Sequence, residues 1–101
     1  MPVKCVNAER VLLAELSGEL DHHAAKQMMQ ELDRKMEAEL PRKLTLDMRG
    51  VTFMDSSGIA VLLRVWRRMS QLEGSLTVIN VPSQAEKVLR AAGLHRLINI
   101  Q

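Results

Sequence analysis

Short apolar runs alternate with longer stretches of helical period along this chain, and that alternation narrows the fold more than any other feature. Residues 11–16, Val-Leu-Leu-Ala-Glu-Leu, form a nearly continuous apolar run ended by Ser17-Gly18. That is the pattern of a strand buried on both faces. Residues 3–6 suit a short edge strand before it. Residues 44–48 alternate as a further strand, Arg49-Gly50 opens a loop, and residues 51–54 add a short apolar extension. Residues 76–79 and 97–100 read as the last strands. Between them, Asp21 is placed to cap a helix that runs to about Glu39 and stops before Pro41. Its apolar side carries Ala25, Met28, Met29, Leu32 and Met36, and Lys26, Glu31, Arg34 and Lys35 cover the other. A second helix follows Asp55-Ser56-Ser57-Gly58, with Ile59, Leu62, Leu63, Trp66 and Met69 as its buried stripe and Gly74 closing it. A third begins at Ser83-Gln84-Ala85-Glu86, which has the form of a capping box, and ends at Gly93. The pattern predicts an α/β fold: a mainly parallel sheet of four to five strands, right-handed β-α crossovers and flanking helices.

The chain's 101 residues suit one domain, 1–101, with a small core. Phe53 and Trp66 are its whole aromatic set, so aliphatic side chains and Met must fill that core, with Trp66 committed to it. Fourteen Lys+Arg against twelve Asp+Glu, a formal +2, give too weak a balance to imply nucleic acid. The apolar runs are far shorter than the ~18 residues of a membrane span. Met1-Pro2-Val3-Lys4 does not lead into the apolar core of a signal peptide. The single Cys5 excludes an internal disulfide and fits a reducing cytosol.

Two loops, 17–23 and 53–58, each leave a strand and open a helix, so they should share the sheet edge where such folds place function. At Asp55-Ser56-Ser57-Gly58, helix capping explains one polar residue, but two adjacent serines exceed what a cap needs. A spare hydroxyl at a helix N-terminus can be a nucleophile, an anion ligand or a phosphoryl acceptor. A nucleophile needs a base, for which His22 or His23 stand nearest, yet the G-x-S-x-G elbow of serine hydrolases is absent. His22 and His23 point about 100° apart on a helix and make a poor grip for one metal ion. No phosphate-binding Gly-rich loop is present, and no metal or cofactor is expected. Arg64, Arg67 and Arg68 form a basic cluster that reads as a solvated helix face. Val61 and Val65 lie off the apolar stripe, so the second helix is either deeply buried or shows an apolar strip to a partner.

Gly18-Glu19-Leu20-Asp21-His22-His23-Ala24 followed by Phe53-Met54-Asp55-Ser56-Ser57-Gly58-Ile59 resembles the bacterial anti-sigma factor antagonists of the STAS domain family. The likeness spans about residues 3–98, and the Gly18 to His23 segment is of the sporulation, sigma-F type. The resemblance implies a partner switch with no catalysis of its own. Ser56 would be phosphorylated by a cognate anti-sigma factor that is an ATP-dependent serine kinase. The unphosphorylated form would bind that factor in its ADP state and free the sigma factor, and a metal-dependent serine phosphatase would reset it. Asp21, His22, Asp55, Ser57, Gly58, Ile59, Val61 and Leu62 would meet the partner, with Val61 and Leu62 on exposed first turns. Ser57 would serve as the structural cap. Neither nucleic acid nor membrane is an expected partner, and the cytoplasm is the expected compartment. A STAS subunit of a larger stress-signalling scaffold and a small serine hydrolase are the alternatives.

Overall fold

The computed structural model describes residues 3–101; Met1 and Pro2, where the signal-peptide argument began, lie outside the described residues. The strands are β1 (Val3–Ala8), β2 (Val11–Leu20), β3 (Lys43–Met54), β4 (Ser75–Ile79) and β5 (Asn99–Ile100). The helices are α1 (His22–Glu39), α2 (Ser56–Gln71) and α3 (Ser83–Ala91), with a 3₁₀ turn at Leu94–Arg96 before β5. The sheet has five strands in the order β1-β2-β3-β4-β5. β1 is antiparallel to β2, and every other pair is parallel. This is the predicted α/β architecture at its five-stranded limit.

The strand order never reverses, so crossovers of one hand place every helix on the same face. Burial shows the result. Leu12, Leu44 and Leu76 stand in register across three strands, as do Ala14, Leu46 and Val78, and all are buried. The residues between them, Leu13, Thr45 and Thr77, or Glu15, Asp47 and Ile79, face the other way and stay partly or fully exposed. β2 is therefore buried on one face, not two as its apolar run suggested.

Both long strands overrun their predicted ends. β2 passes through Ser17-Gly18 to Leu20, and β3 passes through Arg49-Gly50 to Met54. Two register shifts, between Glu15 and Ser17 and between Gly18 and Glu19, let the extensions pair. Gly18 adopts φ +84 there, a conformation glycine enters without steric cost. A single bent strand thus replaces the expected strand, loop and extension, and it carries the chain to the start of α2.

On α2 the buried residues are Gly58, Val61, Leu62, Val65 and Met69. The inward stripe is rotated relative to the expectation: Val61 and Val65 face the core, while Ile59, Leu63 and Trp66 pack at its margin. The open choice at this helix resolves as burial. On α1, Met28, Leu32 and Met36 are buried as the period predicts, but so is Glu31, expected on the solvent side. The capping box at α3 does not form. Pro82 occupies the N-cap with no side-chain bond, and Glu86 instead pairs with Arg90 at 3.0 Å. The left-handed residue after α2 is Glu73, φ 58, rather than Gly74, whereas Gly93 does take the expected positive φ. The final strand is cut to two residues because the 3₁₀ turn claims the chain before it.

Candidate functional site

The two loops singled out in the sequence meet. Leu20 and Met54, the last residues of β2 and β3, are cross-strand partners, and the Asp55 N–H reaches the Leu20 carbonyl at 3.4 Å. Each chain then enters a helix through an aspartate in extended conformation. The Asp21 carboxylate accepts the Ala24 N–H at 3.0 Å, and the Asp55 carboxylate accepts the Ser57 N–H at 2.8 Å. Two adjacent helix N-termini therefore open at one corner, each capped by an acid.

This arrangement corrects the role given to Ser57. Asp55 is the cap of α2, and both serines lie within the first turn. Ser56 is exposed and Ser57 half-buried, so the side chain that faces solvent is Ser56. Asp21, expected to meet the partner, has its carboxylate engaged by its own helix. The Ala24 N–H holds that carboxyl below its ordinary value.

Gly58 is buried, and its place is one of packing. A Cβ there would stand 2.4 Å from Met54 Cγ and 2.7 Å from its sulfur. Only a residue without a side chain lets α2 start this close to the ends of β2 and β3. Val61 at 1% exposure and Leu62 at 0% belong to the core, which overturns their expected exposure to a partner. Ile59 is half-buried, Asp55 half-buried and His22 exposed.

Two features escaped the sequence reading. The Gln84 amide clasps Met54, donating to its carbonyl and accepting its N–H, both at 2.8 Å. β4 pairs with β3 only from Lys43 to Asp47, so nothing in the sheet satisfies the far side of Met54. Gln84 does so as a strand residue would, and it thereby fixes the turn that carries Ser56. Its only sequence signal was the polar start of α3, read there as a cap. Phe53, 43% exposed, puts an aromatic ring at the rim of the same corner. The ring was visible in the sequence, but its outward direction depended on the bulged register of β2 and β3.

From the corner a groove of about 320 Å³ runs between α1 and α2, with His22, Met29, Ser57 and Arg64 along its walls. Further along, Arg64 pairs with Asp33 at 3.0 Å and Arg68 with Glu37 at 3.6 Å, bridging the helices. Two of the three clustered arginines are thus inter-helix ties, exposed enough to add little stability each. No group of three or more potential metal ligands comes together among the described residues.

The model of the STAS domain matches residues 3–101. The chain belongs to the STAS domain family. It is 31% identical over 90 residues to an anti-sigma F factor antagonist of Paenibacillus polymyxa, covering 89% of this chain and 77% of that one. The solved structure of the anti-sigma factor antagonist SpoIIAA in its unphosphorylated form superposes with a TM-score of 0.83, at 24% identity over 98% of this chain and 87% of that chain. The Bacillus cell fate determinant SpoIIAA in its phosphorylated form gives a TM-score of 0.73, at 24% identity over 98% and 90%. These two structures establish the shared fold. No helix of the described STAS domain is long and apolar enough to cross a membrane.

Proposed function

We propose that this STAS domain is an anti-sigma factor antagonist switched by phosphorylation of Ser56, a cytoplasmic regulator of sporulation transcription and not an enzyme. The observation that carries the reading is the exposed Ser56 at the first position of an Asp55-capped helix, beside a second capped helix N-terminus. The relative from Paenibacillus is named an antagonist of an anti-sigma F factor, and SpoIIAA is known in a phosphorylated form. The unphosphorylated corner, with Asp21, His22, Phe53, Asp55, Ser57 and Ile59, binds an anti-sigma factor that is itself a serine kinase, in its ADP state. A metal-dependent serine phosphatase restores that state.

The physics favours blocking over refolding. A phosphoryl group adds about −1.5 to −2 charges and three acceptor oxygens. At the N-terminus of α2 the helix dipole tolerates that charge. The new charge stands next to Asp55 and across the corner from Asp21, where it repels an acidic or nucleotide-bearing partner and obstructs a close contact.

Mixing the chain with the candidate anti-sigma kinase tests this. A complex forms with ADP, and with ATP the chain is labelled. Ser56→Ala abolishes the label and Ser57→Ala retains it; label lost only in Ser57→Ala overturns the assignment. Ser56→Asp weakens the complex, though less than phosphate, because it supplies about one charge in place of two.

A further inference from the structure

The arginines of α2 are a motif of the sequence that the Ser56 corner does not use. α2 holds no acidic residue, so Arg64, Arg67 and Arg68 make its outer face uniformly basic. The facing side of α1 divides them. Asp33 pairs with Arg64 and Glu37 with Arg68. Arg67 is exposed and has no ion pair among the described residues, and the same holds for Lys26 near the start of α1. The groove that leaves the corner does not end at Arg64. A second hollow of about 550 Å³ continues from it to Gln71, with Ala60 and Arg64 common to both. β2 and β3 are parallel, so α1 and α2 run side by side in one direction and the two hollows form one trough. From Ser57 to Gln71 it extends about 21 Å, at ~1.5 Å per residue. Its floor is apolar, with Ala25 and Met29 from α1 and Ala60 and Leu63 from α2.

We propose that this trough seats an acidic amphipathic helix of the anti-sigma factor, laid along α1 and α2 with one end at the Ser56 corner. The inference rests on the reading of that corner as the anti-sigma contact, and it names the chemistry of the partner there. Both walls of the trough are helices whose backbone groups are bonded within themselves, so an extended segment would find no ladder to join. A third helix, in contrast, packs its side-chain ridges into such a trough, and an alanine on each wall lets its axis come close. About 14 residues, or four turns, match the length. Charge sets the composition. Asp33 and Glu37 are already offset by their arginines, which leaves the Lys26 ammonium near the corner and the Arg67 guanidinium further along as the uncompensated charges. Acids on the incoming helix complement both, while its apolar stripe covers the floor. The trough is thereby tied to the switch. A phosphoryl group on Ser56 places about −1.5 to −2 charges beside the end where Lys26 stands, and repels the acids that Lys26 attracts.

Calorimetric titration of the full chain with the anti-sigma kinase in ADP, at low and at high salt, tests this. Lys26→Glu with Arg67→Glu, both exposed and so tolerated by the fold, should weaken the complex about tenfold or more at low salt and less at high salt, where exposed charges are screened. The circular dichroism spectrum should stay unchanged. Lys87→Glu, a charge reversal on α3 outside the trough, should leave the affinity as it is. With ATP, the paired reversal should raise the KM of the kinase for this chain and spare kcat. In methyl spectra of the ADP complex, the half-buried Met29 should shift, while the buried Met36 and Met69 stay in place. A paired variant that binds as the parent does, while Ser56→Asp still loses the complex, overturns the trough and leaves the corner standing. A loss equal at both salts, or an unmoved Met29 signal, also overturns it. A parent chain that forms no complex in ADP and takes no label from ATP overturns the reading of the corner itself, and the trough with it.

Discussion

Glycine and phenylalanine at the corner make opposite demands, and substitution separates them. Gly58 is a packing residue, so Gly58→Ala drives a methyl into Met54 and Leu20. Overfilling a tight site costs about 1–3 kcal/mol, which exceeds the roughly 0.5–1 kcal/mol that alanine gains over glycine in a helix. Denaturant unfolding should therefore show a net loss. Phe53 is 43% exposed, so Phe53→Ala should leave the midpoint nearly unchanged and weaken the anti-sigma complex, by about 2 kcal/mol if the ring is a hot spot. Calorimetric titration of that variant against the kinase in ADP reads the second effect. The motif itself was legible at this scale: Asp55-Ser56-Ser57-Gly58 announces a helix start and a spare hydroxyl. The division of labour within it was not. Asp55 and Ser57 are equally good caps by propensity, and only the extended backbone at Asp55 decides between them.

At the scale of elements, the caps of α1 and α2 and the Gln84 clasp hold the corner in shape. The hydrogen bond from Ala24 depresses the Asp21 carboxyl, so its charged form is favoured in the folded chain. A depressed folded value contributes stability above the unfolded value of 3.8 and loses it as pH falls from there through the folded value. Thermal melts between neutral pH and acid should thus fall more steeply for the parent than for Asp21→Asn, whose cap does not titrate. Gln84→Ala removes two hydrogen bonds worth about 0.5–1.5 kcal/mol each, less for their exposure. It should also speed amide exchange at Met54 and Asp55 more than at Leu44 or Leu46. The helices themselves and the Asp21 cap were legible here because they are local. The long ends of β2 and β3 were not. Ser17-Gly18 and Arg49-Gly50 look like turns in isolation, yet Ser17 and Gly50 are partners, and each strand continues because the other does. Ser83 misled for a local reason as well: Pro82 has the fixed φ and extended ψ of an N-cap and takes that place.

For the whole molecule, the monotone strand order decides what a phosphoryl group can do. All helices lie on one face, and the core runs unbroken from Leu12 through Leu46 to Val65 and Leu89 beneath them. α2 is anchored to that core by Val61, Leu62, Val65 and Met69, so a single phosphoryl group at its first residue opposes a fully packed helix. The dipole offsets part of the charge at that end. The formal +2 of the chain falls to about zero on phosphorylation, which alters the field seen by a partner far more than the packing inside. The expected outcome is local. In amide correlation spectra, phosphorylation should displace signals of residues 20–23 and 53–60, and leave those of β1, β4 and the carboxyl half of α2 in place. The melting temperature should move by only a few degrees, the scale of about 1 kcal/mol in a domain this size. Widespread displacement along α2, from Val61 to Met69, would mean that the helix shifts on the sheet. The switch would then be conformational, and the charge at Ser56 would act on the partner through the core.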